Sequence, residues 1–196
     1  MNKLTRDDLL SLEAYADCRD NFRREVMAHK TNRQVKLGNH IRLLFEDRLT
    51  MQYQIQEMLR AERIFEADAI QEELDTYNPL IPDGGNWKAT MLIEYDDVEQ
   101  RRQALAELIG VERKVWVRVN GYEPVYAIAD EDLERDNEEK TSSVHFLRFE
   151  LTPEMQRSVL NIKTGVKMGV DHPQYSVEMA VPEGSRSALM QDIDES

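Results

Sequence analysis

Between residues 54 and 82 the chain carries Glu57, Glu62, Glu66, Asp68, Glu72, Glu73 and Asp75 at helical spacings, with Arg60 and Arg63 among them. Carboxylates three or four residues apart share a helix face. That arrangement holds metal ions in helical bundles and moves protons in acid–base catalysis. It equally makes a plain solvated face. A di-iron bundle adds two Glu-x-x-His pairs to its carboxylates. Residues 50–77 contain no His, and the nearest analogue, Glu25 with His29, has the wrong spacing and a single copy.

Glu62 differs from its neighbours. Met51, Ile55, Met58, Glu62 and Phe65 step by four, three, four and three, which places Glu62 on an apolar stripe. A carboxylate buried without a partner is costly, so such a group must be paired or protonated more readily than usual. Two readings follow: Glu62 pairs at the core's margin with Arg63 or Arg148, or it faces a polar pocket and works there. His145 shares a strand face with Leu147, Phe149 and Leu151, where a histidine is most often a hydrogen-bonded boundary residue and less often a ligand or general base. Arg148, between Phe146 and Glu150 on the opposite face, fits an ion pair better than an anion clamp. His40 and His172 sit at turn edges. Residues 130–136 alternate acids but lack the central glycine of a calcium loop. Gly84-Gly85 is neither a Walker loop nor a dinucleotide fingerprint, and there is no Gly-x-Ser-x-Gly.

The elements that must position these groups follow from periodicity. Thr5 and Asp8 form a capping box, and Leu9, Leu12, Ala16, Phe22, Val26 and His29 give one or two helices over the first thirty residues. Val35 and Leu37, then Ile41, Leu43 and Phe45, alternate about Gly38-Asn39, which predicts a hairpin. Two helices with a joint near Phe65 fill residues 50–77, stopped by Asn78-Pro79. Trp87, Ala89, Met91 and Ile93 mark a half-buried strand, followed by a helix over 97–109 closed by Gly110. A hairpin turns at Asn120-Gly121, residues 130–139 read as a solvated acidic loop, and a strand holds His145. Thr152-Pro153 starts a helix, and a last hairpin turns within residues 171–174. The result is an α+β protein with a chiefly antiparallel sheet built from hairpins among amphipathic helices. One domain over 1–196 is the simplest organisation, with a helical and hairpin subdomain at 1–82 and a sheet-rich part at 83–183 as its subdivision.

Composition narrows the function. With 25 Lys and Arg against 38 Asp and Glu, the net charge is −13. Polyanion binding needs clustered cations, and none is present, so nucleic acid and anionic membranes are excluded as expected partners. Basic proteins and metal cations are the electrostatically favoured ones. Cys18 is the single cysteine, which rules out an internal disulfide, a thiolate zinc site or an iron–sulfur cluster made from this chain alone. No run of 18 apolar residues spans a membrane, and the polar start carries no signal core, so a cytoplasmic location is expected.

Four ordered stretches, LTRDDLLSLEAY, LLFEDRLTMQYQIQEMLRAERI, ELDTYNPLIP and SSVHFLRFEL, resemble a bacterial family catalogued as domain of unknown function 3501. The resemblance implies an association with rubrerythrin, a di-iron peroxidase-like protein, and with an iron–sulfur oxidoreductase. It implies, through them, a role near peroxide handling or electron transfer. Two expectations result. The first is a non-catalytic accessory or protein-binding factor linked to a redox or peroxide-stress system, with a homodimer as an alternative assembly. The second is a metal-binding protein or enzyme using a pocket of Glu57, Glu62, Tyr77 and His145, with Arg60 and Arg148.

Overall fold

The computed structural model describes residues 2–129 and 140–194. The acidic stretch 130–139, read above as a solvated loop, lies outside them. Thr5 and Asp8 do form a capping box, but it closes only a 3-10 turn, Arg6–Asp8. A single helix α1 (Leu12–Thr31) follows, capped by Ser11, whose hydroxyl accepts from the Ala14 N–H. Strands β1 (Gln34–Leu37) and β2 (Ile41–Phe45) form the expected hairpin. Its turn depends on Gly38, which has φ +70°, and a Cβ there would lie 2.5 Å from the Tyr175 hydroxyl.

Helix α2 (Arg48–Glu62) opens on a reciprocal cap between Asp47 and Thr50. It ends at Arg63, which adopts the left-handed φ of 57° and turns the chain into α3 (Ala67–Tyr77). The joint therefore falls at residues 63–66. A 3-10 turn, Asn78–Leu80, stops α3. Beyond it come β3 (Asn86–Ile93), α4 (Val98–Glu107), β4 (Val115–Val119), β5 (Val125–Tyr126), β6 (Ile128–Ala129) and β7 (Val144–Glu150). The described residues end with α5 (Pro153–Val159), β8 (Val166–His172), β9 (Tyr175–Ala180) and α6 (Glu183–Met190).

The strands make two antiparallel sheets, β1-β2-β3-β7-β6 and β5-β4-β8-β9. One extended segment joins them: β5 pairs with β4, the Ala127 N–H donates to the Val115 carbonyl, and β6 then pairs with β7. At the opposite edge the Tyr175 hydroxyl of β9 donates to the Leu37 carbonyl of β1 at 2.6 Å. Inward residues alternate along each strand, and those of both sheets meet in one core: Leu43, Trp87, Met91 and Phe149 from one, Val117, Met168 and Val170 from the other. Each fully buried aliphatic side chain of this kind contributes about 1.5–3 kcal/mol. The Trp87 indole N–H donates to the Leu189 carbonyl, so α6 closes one end of the core.

The helices have their own apolar cluster, in which Leu4, Met51, Ile55, Leu59, Leu74 and Ile81 are buried. They are tied to outward-facing residues of β3: Thr90 donates to Glu46 at 2.7 Å, and the Lys88 ammonium donates to the Pro79 carbonyl at 2.6 Å. The first hairpin, which the sequence groups with these helices, pairs through β2 with β3 from Ile41↔Ile93 to Phe45↔Ala89.

Candidate functional site

The six side chains singled out by spacing do not converge. Glu57 sits half-buried on α2 and accepts from the Tyr15 hydroxyl and from Nε and Nη2 of Arg19, each at 2.7 Å. The Arg19 guanidinium, with help from Tyr15, holds its carboxyl down to about 2 in spite of partial burial. Burial and the Glu57 carboxylate push the Tyr15 phenol well up. These three groups clamp α1 to α2. Arg60 is exposed one turn further on, and Tyr77 lies half-buried at the end of α3.

Glu62 corrects the sequence reading. The buried stripe of α2 runs Met51, Ile55, Leu59, in steps of four, and not through Met58 to Glu62. Glu62 is the last helical residue and is exposed, because the chain turns away at Arg63. Neither a margin pair with Arg148 nor a core pocket results: Arg148 lies on the outer face of β7 and pairs with Glu150. His145 is 0% exposed, opposite Met91 in the sheet, with Nε2 at 2.9 Å from the Thr141 hydroxyl and 3.0 Å from the Ser142 carbonyl oxygen. It is held inside the sheet layer, apart from the α2–α3 residues. Among the described residues no three His, Cys, Asp or Glu side chains are grouped to hold a metal ion. Cys18 is a half-buried helical thiol near the Tyr15 carbonyl.

What the structure does assemble is a groove of about 610 Å³ between the chain leading into α1 and the α2–α3 joint. Its apolar lining comes from Leu9, Leu12, Leu59, Ile64 and Ile70, with Phe65 and Leu10 at the mouth. Phe65 is 74% exposed and Leu10 43%. The wall is fixed from α2: the Gln56 amide accepts from the Leu10 N–H at 2.6 Å and donates to its carbonyl at 3.3 Å. Gln52 donates to the Asp8 carbonyl at 2.7 Å, and Arg48 pairs with the Asp8 carboxylate at 2.5 Å.

The charged residues of the lining are Arg6, Asp7 and Glu13. The adjoining segment from residue 62 to 75 carries six carboxylates and one cation, Arg63. Burial, together with the neighbouring Glu62 and Glu72 carboxylates, pushes Glu73 up from its ordinary value, the mark of like charges crowded without a counterion. An apolar groove beside an acidic segment can take an apolar segment flanked by cations. Spacing arguments missed this groove because Leu12, Leu59 and Ile70 come from three separate helices and the rest of its apolar lining from connections, with Leu9-Leu10 and Phe65 at a helix joint as its one sequence signal.

Residues 3–193 match the family described as "Protein of unknown function (DUF3501)". A crystal structure at 1.90 Å resolution of a novel protein of unknown function from Burkholderia pseudomallei K96243 is similar, with a TM-score of 0.93 and 53% sequence identity, covering 98% of this chain and 100% of that one. Curated proteins give no match. The chain belongs to the DUF3501 family of proteins of unknown function.

Proposed function

We propose that the protein is a non-catalytic accessory factor that binds a partner protein in the groove between its N-terminal segment and the α2–α3 joint. The occupant that fits is an amphipathic segment with an apolar face and Lys or Arg at its flanks. One observation carries this reading: Phe65 stands 74% exposed beside a groove whose wall is fixed by Gln52 and Gln56 rather than left to collapse. A rigid aromatic at the mouth of an apolar groove is the usual anchor of a protein interface. The acidic 62–75 segment beside the groove and the net charge of −13 favour a basic partner and give it a salt-sensitive approach.

The family resemblance supplies the partners to try first, a rubrerythrin and an iron–sulfur oxidoreductase, and with them a link to redox or peroxide-stress chemistry in a bacterial cytoplasm. No helix among the described residues is long and apolar enough to cross a membrane, which suits that setting.

Titration calorimetry of the intact protein against each purified partner from the same organism tests the proposal. A complex should form at low salt and weaken as salt rises. Phe65→Ser should weaken it by about 2 kcal/mol, roughly thirtyfold in Kd. Absence of binding to both, or binding indifferent to Phe65→Ser, contradicts it. Self-association abolished by the same substitution would assign the groove to a second copy instead.

A further inference from the structure

A second cleft, of about 560 Å³, opens at the tip of the first hairpin, between β1–β2, the chain after β3 and the first turns of α4. We infer that it binds a small, multiply charged oxyanion, with Lys36, Arg101 and the His40 imidazolium as its donors.

The sheet register supplies the first observation. Lys36 and Arg42 lie directly opposite each other on the outward face of β1 and β2. Like charges in that position repel and weaken a hairpin unless anions balance them. Glu94 balances only Arg42, meeting its Nη2 at 2.9 Å and Nε at 3.1 Å. The Lys36 side chain makes no ion pair or hydrogen bond among the described residues. The Arg101 guanidinium reaches the same cleft from α4, half-buried, and it too has neither among the described residues. A half-buried guanidinium with no acceptor is unusual, since its five donors have lost part of their water.

His40 supplies the second. Its Nδ1 lies 3.0 Å from the Glu94 carbonyl oxygen. A carbonyl only accepts, so Nδ1 carries a proton, and Nε2 becomes a donor toward an anion once the ring takes up a second proton with the ligand. The ring cannot turn away easily: it stacks on Tyr95 with centroids 3.9 Å apart and planes 6° from parallel. The His40 backbone N–H is held by the Tyr175 hydroxyl at 3.1 Å. The turn that places it needs Gly38, as described above.

The balance of charge in the cleft is the third. Lys36, Arg42 and Arg101 face Glu94 and Asp96, an excess of one positive charge before His40 is counted, in a chain whose net charge is −13. The cleft has the size of a small-molecule site. Guanidinium and ammonium groups around a histidine recognise phosphate and carboxylate alike, so the shared chemistry is a compact oxyanion carrying two or more charges. This inference is independent of the groove.

The test is calorimetric titration of the intact protein with pyrophosphate and, separately, with citrate, alongside the ¹⁵N shifts of the histidine rings. One saturable site per chain is expected, with the His40 ring resonances moving on binding. Arg101→Gln and Lys36→Gln, which keep most of each aliphatic stem, should each weaken binding about tenfold. The exposed Lys163→Gln should leave it unchanged. Preference for pyrophosphate assigns the site to phosphoryl compounds, and preference for citrate assigns it to polycarboxylates. No saturable binding of either probe, or equal loss in the Lys163 variant, overturns the inference.

Discussion

Around Arg33 every charged group meets a partner, whereas along the α2–α3 joint rings and carboxylates face water. The Arg33 side chain is 1% exposed and donates to the carbonyls of Phe45 at 3.1 Å and of Glu46 and Ala188 at 3.2 Å. It pairs with Asp192 and, at 3.3 Å, with Asp47. Asp47 in turn caps α2 and meets His29, while Glu46 accepts from Thr50 and Thr90. One residue thus ties α1, the first hairpin, α2 and the C-terminal turn together. A polar network with all members satisfied rigidifies a fold and leaves nothing for a ligand to bind. Phe65 and its acidic neighbours are the reverse: little holds them inside the molecule, and their chemistry is complete only with a partner. Satisfaction, more than residue type, separates frame from site.

Stability should fall most where that frame is cut. Arg33→Ala leaves Asp192 and Asp47 buried without their cation and is expected to cost about 3–5 kcal/mol in denaturant unfolding. A loss below about 1 kcal/mol would break the comparison, since Arg33 would then not be holding the layers.

Glu57→Gln should cost less, about 1–3 kcal/mol at neutral pH, because the clamp it loosens is partly solvated. Its sign with pH is fixed by a carboxyl held down at about 2 against an ordinary 4.5. The stabilisation is present above 4.5 and lost as pH falls through 2. Wild-type stability should drop over that window, and the variant's should drop less.

Asp192 is predicted to act the other way. Burial pushes its carboxyl up to about 7 from an ordinary 3.8, outweighing the pull of Arg33. A raised carboxyl gives a contribution present below 3.8 and lost as pH rises through 7. Asp192→Asn, which mimics the protonated carboxyl, should therefore match wild type most closely at pH 4 and gain on it toward pH 8 in urea midpoints. The opposite slope would mean that Arg33 dominates.

Phe65→Ser is expected to change unfolding free energy least, by no more than about 0.5 kcal/mol. Melting that shifts as far as in the Glu57 variant would place Phe65 in the frame and remove the basis of the groove.

Much of the frame was legible in the chain. Gly38-Asn39, the alternation from Trp87 to Ile93 and the joint near Phe65 are local signals, and each element formed where its spacing pointed. Glu62 misled because periodicity carries no stop sign: Arg63 takes a left-handed cap conformation where a glycine would have announced the end. The Arg33 network was invisible for a different reason. Its partners Phe45 and Asp192 lie 12 and 159 residues away, and no pattern of spacing connects them. His40 was read as a turn-edge residue, which it is. Its stack on Tyr95 and its contact with Tyr175 exist only once β3 and β9 are in place.

Photo-crosslinking from a benzoyl-phenylalanine placed at position 65, in the presence of rubrerythrin or the iron–sulfur oxidoreductase, tests the central claim most directly. The account predicts an adduct with one of them, mapped by mass spectrometry to a segment with an apolar face and flanking Lys or Arg, and suppressed by salt. Adducts found only within the chain or with a second copy of it would contradict a groove built for a foreign partner.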